Sequence, residues 1–148
     1  MKILCIAFIA FFYHDVFSRE LQDTVEIHPI LSFRIEDRPA VKGKSVMLFE
    51  KRGSLSYAFS DSSGKEEFFY PKETDEETPG FIFDTTKNAM SVSFSNKSAS
   101  YQVYEQPKKV GVNATTKGVL YEQVGVLSSK EGSLKNLLGM KLENVIIR

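Results

Sequence analysis

Between Ser54 and Ser60 the chain alternates strictly, with Leu55, Tyr57 and Phe59 on one side and Ser54, Ser56, Ala58 and Ser60 on the other. Successive side chains of an extended strand point to opposite faces, so the pattern predicts a strand with one apolar face and one face of small or polar groups. A helix would need apolar positions every three or four residues. Met90–Ser95 repeats the pattern, Met90, Val92 and Phe94 opposing Ser91, Ser93 and Ser95. Strands of this kind must bury their apolar faces against one another, either as two packed sheets or as one sheet closed on itself.

Turn chemistry divides the rest of the chain. Lys51-Arg52-Gly53 joins a buried strand, Ser45–Glu50, to Ser54–Ser60, with glycine where a positive φ is needed. Asp61–Gly64 turns into a short aromatic strand, Glu67–Tyr70, and Pro71–Gly80 is a polar loop. Phe81–Asp84 and Met90–Ser95 form a second hairpin about Thr86-Lys87-Asn88; Asn96–Ser98 then leads into Ala99–Glu105, and Pro107 ends that pattern. Val25–Ile35 is rich in β-formers but holds Pro29, which has no N–H for a ladder, so it is expected at a sheet edge or as two short strands.

Glycines 111, 118, 125, 132 and 139 fall seven apart, yet the apolar positions between them are out of register. They therefore read as strand ends and turns, not as a solenoid repeat. Val119–Leu127 reads as a strand with a bulge at Gly125. Ser133–Leu138 reads as one or two helical turns, capped by Ser133 and stopped by Gly139, and Lys141–Ile147 as the last strand. The expectation is an all-β, antiparallel β-sandwich, jelly-roll-like, of eight or nine short strands with at most one short helix near the C-terminus. An up-and-down β-barrel is the alternative.

Ahead of this domain stands Met1–Ser18. Lys2 precedes eleven unbroken apolar residues, Ile3–Tyr13, and Val16 and Ser18 provide small residues before a cut between Ser18 and Arg19. Eleven residues cover only about half of a ~30 Å hydrocarbon core, so the segment predicts a cleaved secretory signal and no stable membrane anchor. Residues 19–148 are then a single exported domain. Removing Lys2 and Asp15 leaves 18 basic and 18 acidic residues, which gives no electrostatic drive toward nucleic acid. The sole cysteine, Cys5, lies in the leader, so the domain has neither disulfide nor thiolate, and packing alone must hold it.

Little in the chain points to catalysis. His28 is the only histidine after the leader and has no acid at relay spacing. Nucleophile-elbow, zinc-protease and phosphate-loop motifs are absent from the sequence. Glu73, Asp75, Glu76 and Glu77 share the Pro71–Gly80 loop without the spacing of a calcium loop and read as solvated. Arg38, Lys42, Lys44, Lys51 and Arg52 are interleaved with Glu36, Asp37 and Glu50, which reads as a mixed surface. No catalytic, metal or cofactor residue is assigned. Two N-glycosylation sequons, at Asn96 (Asn-Lys-Ser) and Asn113 (Asn-Ala-Thr), fall where the strand reading puts surface turns. The functional expectation is a secreted module that binds a protein or glycan, through the edge strand around Val25–Ile35 or through loops. A secreted barrel carrying a small apolar ligand and a small carboxylate-dependent hydrolase are the alternatives.

Overall fold

The alternating stretches form strands whose apolar faces meet. The structure is a computed structural model and describes residues 25–72, 80–86 and 88–148. Met1–Ser18, expected to be a secretory signal, the Ser18–Arg19 junction and the carboxylates at 73–77 lie outside the described residues. Four strands, β1 (Ile27–Arg34), β2 (Ser45–Lys51), β3 (Ser54–Ser60) and β4 (Glu66–Tyr70), form one antiparallel meander. Five more, β5 (Phe81–Thr86), β6 (Ala89–Asn96), β7 (Ala99–Gln106), β8 (Lys109–Thr116) and β9 (Val119–Val124), form a second. The chain then crosses back. β10 (Glu131–Gly132) adds to β1, and β11 (Val145–Ile147) adds to β5. A five-stranded sheet, β10-β1-β2-β3-β4, thus packs on a six-stranded one, β11-β5-β6-β7-β8-β9.

The β-sandwich is the architecture that the alternation predicts, but its connectivity is not that of a jelly roll. Within each meander chain neighbours are sheet neighbours, and two-residue turns at 52–53, 97–98, 107–108 and 117–118 make β2–β3, β6–β7, β7–β8 and β8–β9 tight hairpins. Arg52, Lys97 and Lys117 take left-handed φ of 53°, 55° and 50°, as such tight hairpins require. Nor is the second sheet wholly antiparallel. β11 runs parallel to β5, since it arrives by a long crossover that imposes no hairpin geometry. β8 is a full strand that Pro107 and the glycine spacing hide in the sequence; Pro107 merely occupies the turn. The predicted C-terminal helix is a 3-10 turn, Leu134–Leu137, with the Ser133 hydroxyl accepting from the Lys135 N–H.

The largest correction concerns β1. It is one strand, bulged between Pro29 and Leu31, and its outer edge is not free. The C-terminal segment lies along it: β10 pairs with Leu31 and Ser32, Ser133 N–H donates to the Ile30 carbonyl, and Val126 N–H donates to that of Arg34. At the corner Ile35 bridges Gly125. A Cβ on Gly125 would run into the Phe33 ring and Val110, so only glycine lets the two sheets approach there. Pro29 sits ahead of the covered stretch, where its missing N–H breaks no ladder.

Aromatic rings fill the space between the sheets. Tyr57, Phe68 and Tyr70 come from the five-stranded sheet, and Phe81, Phe94 and Tyr101 from the six-stranded one. Phe94 touches four of the others: Tyr70 (4.6 Å between centroids, stacked), Tyr57 (5.0 Å), Tyr101 (5.0 Å) and Phe81 (5.2 Å). Such pairs add about 0.5–1.5 kcal/mol each beyond the area they bury. Burial also pushes the Tyr57 phenol up, which keeps it neutral. Replacement of Phe94 by alanine is expected to cost about 3–5 kcal/mol, read as a lowered urea midpoint with unchanged m-value.

A buried carboxylate fastens the crossover. Glu105, on β7 and only 7% exposed, accepts from Lys130 Nζ (2.5 Å), Ser133 Oγ (3.0 Å) and Leu134 N–H (2.7 Å). Burial alone would raise its pKa; the lysine, the backbone N–H and the hydroxyl together outweigh it and hold the carboxyl below its ordinary value. The folded-state pKa is therefore the lower one, so the contribution is present above the ordinary carboxylate range and lost as pH falls through it. Glu105→Ala is expected to cost about 2–4 kcal/mol near neutrality. Denaturation midpoints measured from about pH 5 downward should fall more steeply for the wild type than for the variant, and the gap between them should close.

Candidate binding face

The two sheets differ in what they turn outward. On the five-stranded sheet, Ser56 and Ala58 are buried beside the rings of Phe49 and Phe69, whose centroids lie 6.0 Å apart. The face of small and polar groups is thus a floor for two phenylalanines. On the six-stranded sheet the outward positions of β6, β7 and β8 are small or polar, with Ile82, Leu120 and Val124 only on the flanking strands. Its register sets Ile82, Ser93, Gln102, Asn113 and Glu122 in one row across five strands. Beside it lies the row Asp84, Ser91, Tyr104, Gly111 and Val124, and on the other flank Ser95, Ser100, Thr115 and Leu120.

Strand alternation is what brings these groups together, since every second residue of β6, β7 and β8 must point the same way. Within the rows, side chains link across strands. Gln102 Nε2 donates to Ser91 Oγ at 3.4 Å, Asn113 Nδ2 donates to Gln102 Oε1 at 3.3 Å, and the hydroxyls of Ser95 and Ser100 lie 3.4 Å apart. Asn113 Oδ1 is covered and has no hydrogen-bond partner among the described residues, an orphaned acceptor on this face. Two adjoining open grooves share Gln102 and Asn113. One, of about 220 Å³, runs toward Asp84 and Lys109; the other, of about 630 Å³, runs past Ser93, Ser100 and Thr115 to Leu120.

One end of the face is braced. Tyr104 lies across Gly111, and its hydroxyl donates to Glu122 Oε1 (2.8 Å), which also receives Lys109 Nζ (2.6 Å). The Lys109 ammonium stands 5.6 Å from the Tyr104 ring centroid. Lys109 and the Tyr104 hydroxyl hold the Glu122 carboxyl below its usual range, while burial and then Glu122 push the Tyr104 phenol up. The charges at this end are consequently fixed and mutually neutralised, leaving the centre of the face uncharged. Gly111 is required by contact: a Cβ there would meet the Tyr104 ring and the Gln123 carbonyl. Gly111→Ala is expected to destabilise by about 1–3 kcal/mol and to raise the quantum yield or shift the emission of tyrosine as Tyr104 leaves Glu122, both measurable in one thermal melt followed by fluorescence.

The residues singled out in the sequence are scattered. His28 is exposed between Glu26 (3.8 Å) and Glu50 (3.7 Å) on β1, remote from the polar face. Lys44 pairs with Glu67 at the start of β2, whereas Lys51 and Arg52 sit at its far end, roughly 20 Å away, so the basic residues form no patch. Asn96 ends β6 at the turn where the sequence puts it. Asn113 does not lie at a turn; it is in the interior of β8. Because β8 is hidden in the sequence, Gln102 and Asn113 could not be seen as neighbours, although the serine alternation of β6 already marks half of the face. Among the described residues no three His, Cys, Asp or Glu side chains gather to hold a metal, and no helix is long and apolar enough to cross a membrane. Comparison with known proteins finds no family model, no curated relative and no solved structure that matches this chain.

Proposed function

We propose that this protein is an exported, non-catalytic binding module that holds an uncharged glycan along the outer face of its six-stranded sheet. The observation that carries this reading is the Ser91–Gln102–Asn113 network with the orphaned Asn113 Oδ1 at its end. A covered acceptor without a donor costs about 1–3 kcal/mol, and a ligand hydroxyl that turns the Asn113 amide outward would recover it. Side-chain amides and hydroxyls offer both donors and acceptors, as a polyol requires, and neither charged groups nor a large apolar surface compete for the centre. The larger groove, near 630 Å³, lies within the roughly 300–1,000 Å³ range of small-ligand sites.

Two features favour binding over the alternatives. The space between the sheets is filled by rings, with Phe81 and Phe83 fully buried, which speaks for a packed core over a ligand-carrying barrel. Asp84 and Glu122 line the same groove, but they sit on β5 and β9, four strand spacings or roughly 19 Å apart across the sheet. Paired-carboxylate glycoside hydrolysis needs about 5–9.5 Å.

The test is a glycan array probed with the full chain, followed by titration of the retained glycans. Gln102→Ala and Ser93→Phe are expected to weaken binding at least ~10-fold, the equivalent of one good hydrogen bond, while Lys51→Ala on the other sheet leaves it unchanged. Retention of no neutral glycan, or binding indifferent to Gln102 and Ser93, would remove the proposal; a protein captured through the same face would replace it.

A further inference from the structure

We infer that Asn96, and not Asn113, carries an N-linked glycan in the exported protein; the inference rests on the export reading given above. Both residues belong to sequons, but the fold places them differently. Asn96 is the last residue of β6 and opens a two-residue turn in which Lys97 takes φ 55° and both Lys97 and Ser98 are exposed. Its side chain makes no hydrogen bond to any described residue. Asn96 has the inward parity of Val92 and Phe94 and is half-buried, but it is the last residue of the strand, so a sugar on its Nδ2 would leave past the end of the sheet and away from the polar face.

Asn113 is held. Its β8 neighbours in register are Gln102 on one side and Glu122 on the other. Nδ2 is already directed at Gln102 Oε1, and Oδ1 is covered, so the amide lies along the sheet instead of standing away from it. A sugar on Nδ2 would take the place of the Gln102 side chain and fill the groove. In the transfer, Nδ2 forms a bond to C1 of the sugar, the C1–O bond to a lipid-linked diphosphate breaks, the diphosphate leaves with the electron pair and the amide gives up one proton. Transfer precedes folding, so a chain modified at Asn113 would have to assemble β7, β8 and β9 around the sugar. Such chains are the ones expected to be held back, leaving exported protein modified at Asn96 alone.

The experiment is expression of the full chain in a eukaryotic secretory cell, with a second version in which a foreign export leader replaces Met1–Ser18. Medium is collected, treated with an amidase that removes N-glycans and leaves aspartate at the modified position, and mapped by peptide mass. The expected result is aspartate at 96 and asparagine at 113, with Asn96→Gln abolishing the mass loss and Asn113→Gln leaving it intact. Aspartate at 113, or asparagine at 96, in protein recovered from the medium would overturn the inference. If only the foreign-leader version reaches the medium, the export reading fails, and the glycan assignment is still decided on that version.

Discussion

The packing of Phe94 against rings from both sheets is the contact on which the rest of the molecule depends. Residues 19–148 hold no cysteine, and among the described residues no cluster is set to hold a metal, so neither a disulfide nor a described metal site ties the two meanders together. Each meander alone would leave its apolar face in water. Phe94 projects from the middle strand of three hairpin-linked strands into Tyr57 and Tyr70 of the opposite sheet, and Tyr101 stacks on Phe68 beside it. At roughly 1.5–3 kcal/mol for each buried large side chain, a handful of rings spans the whole net stability expected of a domain this size. The phenylalanines and tyrosines of the described residues are therefore chiefly a structural resource, not a ligand platform.

Once the sheets meet, their edges have to be managed, and the C-terminal quarter of the chain does this. Exposed strand edges invite pairing with other chains. From Val126 to Ser133 the segment covers β1, held by Glu105 reaching across from β7. Farther on, Asn144 closes the opposite side. Its side-chain amide donates to the Leu55 carbonyl (2.9 Å) and accepts from the Leu55 N–H (2.7 Å), imitating a strand partner for β3 beyond the point where β4 stops. Its backbone carbonyl meanwhile accepts from Phe81 N–H of the other sheet (2.8 Å). Two polar residues, one buried carboxylate and one amide, thus do for this sandwich what disulfides do in many small exported domains.

How much of this was legible follows from the range of each interaction. Alternation is local, so β3, β6 and β7 could be read residue by residue, as could the turn at Arg52-Gly53 and the Ser133 cap. β8 was obscured because its outward row is Gly111, Asn113 and Thr115 and its start follows Pro107, so the familiar strand signals are diluted. The covering of β1 could not be read at all. It depends on Ile30 meeting Ser133 and Arg34 meeting Val126, pairings about a hundred residues apart that leave no local pattern. The same applies to the face: Ser91, Gln102 and Asn113 become neighbours only when the register of β6, β7 and β8 is known.

The asymmetry between the two outer faces is what turns architecture into a functional argument. If packing were the only demand, both outward faces could be any soluble mixture. Instead the five-stranded sheet spends its outward small residues on seating Phe49 and Phe69, while the six-stranded sheet leaves serine, threonine and amide groups in rows with an acceptor unsatisfied. Stability does not require that arrangement: alanine at Asn113 would remove the orphaned acceptor, and a larger residue at Gly111 is excluded by the Gln123 carbonyl and by Tyr104, which lies over it to reach Glu122. The brace at Tyr104, Glu122 and Lys109 confines charge to one end of the rows, and Leu120 ends them at the other. A surface that neutral, that hydrogen-bond-rich and that incompletely satisfied is better suited to an external polyol than to the protein's own interior.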